Sequence, residues 1–187
     1  MDSKAIGAHQ DHWKGVWPSA QFLAGFFCAN EGLVTDSVCL ELGAGTGIVG
    51  LAVAKLDVKK VILTDFPGDE ILSLLRENIE KNHLTNKCEV KGLDWQNAES
   101  IAAVLDSITE LDFLIASDVF YDVCTFRPLI ATISAFFDKF PKLRFYFSYG
   151  ERESRPNIAI SLLLVVTNYS VTRNHESFAI QSSFGAL

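Results

Sequence analysis

The segment Glu41-Leu42-Gly43-Ala44-Gly45-Thr46-Gly47 sets three glycines on alternate positions directly behind a carboxylate. Without a Cβ, such a turn lets a ligand approach the backbone closely, and a helix starting after it offers free N–H groups and a positive dipole end to an anion. Asp65 stands 18 residues past Gly47, where a carboxylate can accept both hydroxyl hydrogens of a ribose. The spacing is G-x-G-x-G after an acid, whereas the dinucleotide pattern is G-x-G-x-x-G, and Gly50 keeps that second pattern alive only loosely. A pyrophosphate or an amino-acid carboxylate would suit the turn equally well. Asp65 alone does not separate a nicotinamide dinucleotide from another ribose-bearing cofactor.

Something has to bring these residues together, and the hydrophobic pattern supplies it. Ser37 to Leu42 is short and almost wholly apolar, as a strand buried on both faces should be. Ile48 to Leu56 reads as a helix and Lys60 to Thr64 as a second strand, so the glycine turn lies inside a βαβ unit. Upstream, Pro18 suits the first turn of a helix that runs to about Glu31 and is capped at Gly32. Downstream, Ile71, Leu72, Leu75 and Ile79 have helical spacing between Asp69 and His83. Strands at Cys88 to Leu93, Leu111 to Ala116 and Leu143 to Tyr149 alternate with helices at Ile101 to Leu105 and Phe126 to Phe137. This pattern predicts an α/β fold of Rossmann-like, doubly wound type, with a mostly parallel sheet and helices on both faces.

Composition narrows the partners. The chain has 187 residues, enough for one domain with a real core, and its net charge of −7 opposes gripping a phosphate backbone, which depends on Lys and Arg. A basic peptide is the more natural partner, and no direct nucleic-acid or membrane binding is expected. The most apolar stretches, Phe22 to Cys28 and Ile158 to Val166, are shorter than the roughly 20 residues that cross a bilayer and read as buried elements. Cys28, Cys39, Cys88 and Cys124 lack zinc or disulfide spacing, and His9, His12, His83 and His175 form no ligand set. No metal site is expected. Free thiols and the lack of a signal sequence in residues 1–14, which read as a flexible segment before a domain over 15–187, fit a cytoplasmic or nuclear location.

The glycine segment, Leu63-Thr64-Asp65, Gly92-Leu93-Asp94-Trp95 and Ala116-Ser117-Asp118-Val119-Phe120-Tyr121 together resemble the seven-stranded, S-adenosylmethionine-dependent protein lysine and arginine methyltransferases of the methyltransferase-like group. The resemblance covers roughly residues 15–149. It implies S-adenosylmethionine as cofactor and a methyl transfer to a lysine or arginine of a protein, with a histone or a chaperone-like protein among the candidate substrates. Position by position, it implies that Gly43, Ala44 and Gly45 lie against the methionine part, with Glu41 and Gly47 in the same motif. By the same resemblance Asp65 holds the ribose, Asp94 and Trp95 border the adenine, and Ser117 touches the cofactor. Trp17 closes the pocket near the sulfonium. Asp118 and Tyr121 match the D-x-x-Y element at the mouth where the target side chain enters, and are the candidate catalytic pair. Val16 to Ala20, Phe120-Tyr121 and Phe147 to Tyr149 resemble one member of the group that tilts the acceptor toward arginine, while the broader family tilts toward lysine.

Each of these residues also has a plainer reading. The glycines could mark an ordinary tight turn, and Asp65 could cap the helix after Pro67. Trp17 and Trp95 could be core, and Asp118 could cap the next helix beside a half-buried Tyr121. Glu151 to Arg155 reads as a solvated turn that could touch a peptide. Members of the group finish with two antiparallel strands. Tyr169 to Gln181 could supply the first, and the six residues after it are too few for a further turn and strand. The C-terminus then looks truncated, with the edge of the fifth strand open, and the alternative function is a weak or inactive module of the same fold that binds a protein partner. An NAD-linked oxidoreductase is disfavoured because no Tyr-x-x-x-Lys pair is present.

Overall fold

The computed structural model describes residues 12–120 and 122–150, together with strands at 161–166, 170–174 and 177–181. Residues 1–11, Tyr121, the Glu151 to Arg155 turn and residues 182–187, which carried expectations above, lie outside the described residues.

Helices and strands alternate as α1 (Pro18–Ala29), β1 (Val38–Leu42), α2 (Ile48–Ala54), β2 (Lys60–Asp65), α3 (Asp69–Lys81) and β3 (Cys88–Gly92). They continue as α4 (Ala98–Asp106), β4 (Phe113–Ser117), α5 (Val123–Lys139) and β5 (Arg144–Gly150), then β6 (Ser161–Val166), β7 (Ser170–Asn174) and β8 (Ser177–Gln181). The main sheet has the order β3-β2-β1-β4-β5-β6, parallel from β3 to β5. The expected doubly wound sheet is therefore present.

Alternation along the central strands explains the layers. On β1, Cys39 faces one core with Leu23 and Phe27 of α1, Val49 and Val53 of α2 and Leu75 and Ile79 of α3. Val38, Leu40 and Leu42 face the other, with Val104 of α4 and Leu129, Ile133 and Phe136 of α5. Both faces of a central strand must then be apolar, which is why its sequence shows no period of two. One ionisable exception breaks that run, the buried Glu41.

Two expectations need correction. Helix α1 stops at Ala29 rather than Glu31, because the Asn30 side-chain amide donates to the Phe26 carbonyl at 2.8 Å and a 3₁₀ turn follows over Glu31–Val34. The edge of β5 is not open. β6 lies antiparallel along it, from Phe145↔Val166 to Gly150↔Ser161, while β7 and β8, which fall where the first of those strands was expected, pair antiparallel with each other. The run Leu162 to Val166 is continuous in apolar, partly β-branched residues, the composition of a sheet strand. Among the described residues no helix is long and apolar enough to cross a membrane, and the four cysteines are unbridged.

Candidate functional site

Strand register brings the site together. Leu42 lies level with Thr64 of β2 on one side and with Ala116 of β4 on the other, so Gly43, Asp65 and Ser117 come together at the carboxyl ends of the strands. From β1 the chain proceeds to β2 on one side, and later to β4 on the other. A crevice outside the carboxyl ends at such a switch point is where open α/β sheets bind ligands.

The turn itself is shaped by left-handed backbone at alternate positions: φ is +61° at Gly43, +55° at Gly45 and +80° at Gly47. Gly47 is also wedged, since a Cβ there would come within 2.9 Å of Leu63 Cδ2 and Leu75 Cδ2. Internal bonds fix the loop: Ala44 N–H donates to Thr64 O at 3.0 Å, Gly47 N–H to Ala44 O at 2.7 Å, and Asn78 Nδ2 to Thr46 O at 2.9 Å.

Two carboxylates complete it. Asp65 Oδ2 accepts from Gly45 N–H at 2.7 Å and Oδ1 from Phe66 N–H at 2.7 Å. Burial raises the Asp65 pKa, opposed by those two bonds. Behind the loop, Glu41 Oε2 accepts from Gly50 N–H in α2 at 2.8 Å. Burial pushes the Glu41 pKa up to about 8, against the pull of the Gly50 N–H, with negative Asp65 adding to the rise. The expectation that this turn offers its N–H groups to an anion is corrected at these two positions: the amides of Gly45 and Gly50 already serve the chain's own acids.

Over the turn lies a cavity of about 460 Å³, within the range of small-molecule sites. Gly43, Ala44, Gly45 and Asp65 line one part of it, and Trp17, Trp95, Ser117 and Asp118 complete the set that the sequence brings there. Three candidates are absent from the lining. Glu41 and Gly47 support the loop from behind, and Asp94 closes the turn into α4, its Oδ1 accepting Gln96 N–H and its own N–H donating to Ser100 Oγ. Tyr121 lies outside the described residues. The plainer capping readings do not hold: α3 starts from Gly68 without a side-chain cap, and α5 is capped by Asp122.

Sequence reasoning missed Trp13, Val16, Phe66, Asp69 and Glu70, all of which line the cavity. Phe66 is 61% exposed, and an aromatic directly after the strand-end acid was the signal that could have found it. Trp13 had no such signal. It sits in a short 3₁₀ turn, His12–Lys14, in a segment expected to be flexible, and its carbonyl lies where a Cβ on Gly45 would meet it at 3.3 Å.

Charge in the cavity is one-sided. Four carboxylates, Asp65, Asp69, Glu70 and Asp118, line it, with no Lys, Arg or His among the described lining residues. A phosphate-bearing ligand would be repelled there, and a cation favoured. Trp95 adds a buried indole N–H with no hydrogen-bond partner among the described residues. Its ring lies where a Cβ at Gly43 would meet it at 3.4 Å, so the wall over Gly43 is closed by contact rather than open to water. An unmet donor beside a side-chain-free turn and a strand-end carboxylate fits a nucleoside with an amino-acid tail. Among the described residues no group of three or more His, Cys, Asp or Glu could hold a metal ion.

Such a sheet and crevice define a domain of the Rossmann-like methyltransferase class. Solved structures share its fold: a SAM dependent methyltransferase from Aquifex aeolicus at TM-score 0.51 and 18% identity, covering 83% of this chain and 78% of that one. Coclaurine N-methyltransferase bound to N-methylheliamine and SAH matches at TM-score 0.52 and 20% identity, covering 70% and 35%. The chain belongs to the lysine methyltransferase family, whose sequence model matches residues 5–163. Among curated relatives, the histone-arginine methyltransferase METTL23 of Mus musculus is 32% identical over 146 residues, 78% of this chain and 56% of that protein. The protein-lysine N-methyltransferase EFM3 of Chaetomium thermophilum is 28% identical over 172 residues, 89% and 50%. The chain thus spans about half the length of these two relatives. METTL23 is the member that the Val16 to Ala20, Phe120-Tyr121 and Phe147 to Tyr149 segments resemble.

Proposed function

We propose that this protein is an S-adenosylmethionine-dependent methyltransferase acting on a lysine or arginine side chain of a basic protein segment, in the cytoplasm or nucleus. The observation that carries the reading is the cavity: a glycine turn and Asp65 at the switch point of the sheet, ringed by carboxylates and with no cation among the described lining residues. Bound there, the cofactor supplies an electrophilic methyl group on a positively charged sulfur.

The chain's own residues bind, orient and desolvate. Asp65 keeps lone pairs for ribose hydroxyls while it holds Gly45, and Gly43, Ala44 and Gly45 line the part of the cavity that takes the amino-acid tail. Trp95 borders the adenine and Trp17 closes the cavity. Asp118 stands at the acceptor side, where a carboxylate orients a guanidinium through paired hydrogen bonds or accepts a hydrogen bond from a lysine amine that has given its proton to solvent. Transfer is an in-line displacement, so positioning dominates over proton transfer. The relatives' names divide between arginine and lysine, and the acidic cavity suits either cation.

The test is a methyl-incorporation assay with labelled cofactor on two basic peptides, one whose only acceptors are lysines and one whose only acceptors are arginines, beside calorimetric titrations with S-adenosylmethionine and NADH. Incorporation into one peptide, reduced about 100-fold in Asp118→Ala with cofactor affinity kept within about threefold, is expected. Binding of NADH without binding of S-adenosylmethionine overturns the reading.

A further inference from the structure

Ser148 is a fully buried serine in β5, paired across the ladder with Ser117 at the end of β4. Its hydroxyl donates to the Ser19 carbonyl in the first turn of α1 at 2.8 Å, across 129 residues of sequence. Its own carbonyl accepts the Asp118 N–H at 2.9 Å. Asp118 has φ of +54°, a left-handed backbone that a side chain makes unfavourable and that persists only where neighbours hold it. Two residues further along β5, a Cβ on Gly150 would lie 4.0 Å from Asp118 Oδ1, so this strand also backs the Asp118 side chain. On the other side of Ser148, the α1 turn that it holds begins directly after Trp17 and includes Ala20, both of which line the cavity with Asp118. One residue therefore ties two parts of the cavity wall to the same strand.

We propose that Ser148 is a positioning residue for methyl transfer, setting the spacing between the α1 wall of the cofactor cavity and Asp118. The inference rests on the reading of Asp118 as the acceptor-side carboxylate. A displacement of about 1 Å between donor and acceptor can lower a rate about 100-fold, whereas most of the cofactor's contacts, on the glycine turn, Asp65 and Trp95, lie on elements that Ser148 does not hold. Replacing the hydroxyl by hydrogen leaves the strand and its ladder intact.

Ser148→Ala is the variant to make, with two independent readouts. In the ligand-free protein, amide exchange in the first turns of α1 speeds up at least fivefold relative to wild type, while exchange in β2 and α3 is unchanged. In the methyl-transfer assay, kcat falls ten- to a hundredfold and the calorimetric Kd for S-adenosylmethionine moves less than threefold. Unchanged exchange in α1 overturns the proposal whether or not the protein methylates anything, which separates its failure from failure of the functional reading. A kcat within twofold of wild type overturns it too, as does a loss of cofactor affinity equal to the loss of kcat.

Discussion

Glu41 is a carboxylic acid in the middle of a strand that is otherwise apolar on both faces, and the reason lies one helix away. Its Oε2 meets Gly50 N–H at 2.8 Å, and a Cβ at Gly50 would come within 2.6 Å of that oxygen, so acid and glycine fit as a pair. The same burial that makes this contact raises its pKa from the ordinary 4.5 to about 8. Below pH 4.5 both folded and unfolded chains hold the proton, and Glu41 contributes its full share of stability. Between there and about 8 the unfolded chain loses the proton while the folded one keeps it, so stability falls as pH rises, by up to about 1.4 kcal/mol per unit. Glu41→Gln keeps the acceptor for Gly50 without the ionisation. Melting temperatures measured for both proteins from pH 5 to 8.5 should therefore diverge, with the variant gaining on wild type as pH rises. Parallel curves would show that Glu41 titrates normally.

At the scale of elements, the β1 turn and α2 act as one piece. Gly47 joins them, with φ of +80° and two leucine methyl groups where a Cβ would sit. Gly47→Ala should lower stability by about 1 to 3 kcal/mol, from a strained backbone and crowding together. A drop of roughly 3 to 10 °C in Tm is the corresponding signal in a thermal melt, and a shift under 1 °C would mean that the turn relaxes freely. This turn was legible because glycines at alternate positions, an acid before them and an acid at the end of the next strand are local features. Asp94 was placed at the adenine by the resemblance alone, yet it closes a turn, because pairing with Gln96 and Ser100 is decided by how the chain enters α4. Trp13 was illegible for the opposite reason. Its place against Gly45 is a contact across 32 residues with no periodic pattern around it. The β6 pairing was not legible either: Leu162 to Val166 reads as apolar in sequence, but an apolar run does not say which strand it lies against or in which direction.

At the scale of the whole molecule, the cavity joins the two halves of the sheet, with Asp65 from the β2 side and Ser117 and Asp118 from the β4 side. A ligand that bridges them binds only the folded chain, and so stabilises it by mass action. At a concentration 100 times its Kd this amounts to about 2.7 kcal/mol, or a rise of roughly 5 to 10 °C in Tm for a domain of this size. The sign of the cavity's charge decides which ligands do so. Four lining carboxylates with no cation among the described lining residues, in a chain of net charge −7, disfavour a dinucleotide's phosphates and favour a sulfonium. S-adenosylmethionine should therefore raise Tm in proportion to the logarithm of its concentration, and NADPH at the same concentrations should leave it unchanged. Raising the salt should narrow that contrast only slightly, since charges within a partly enclosed cavity are screened less than charges on an open surface. A rise with NADPH that matches the rise with S-adenosylmethionine would mean that the carboxylates do not control entry to the cavity.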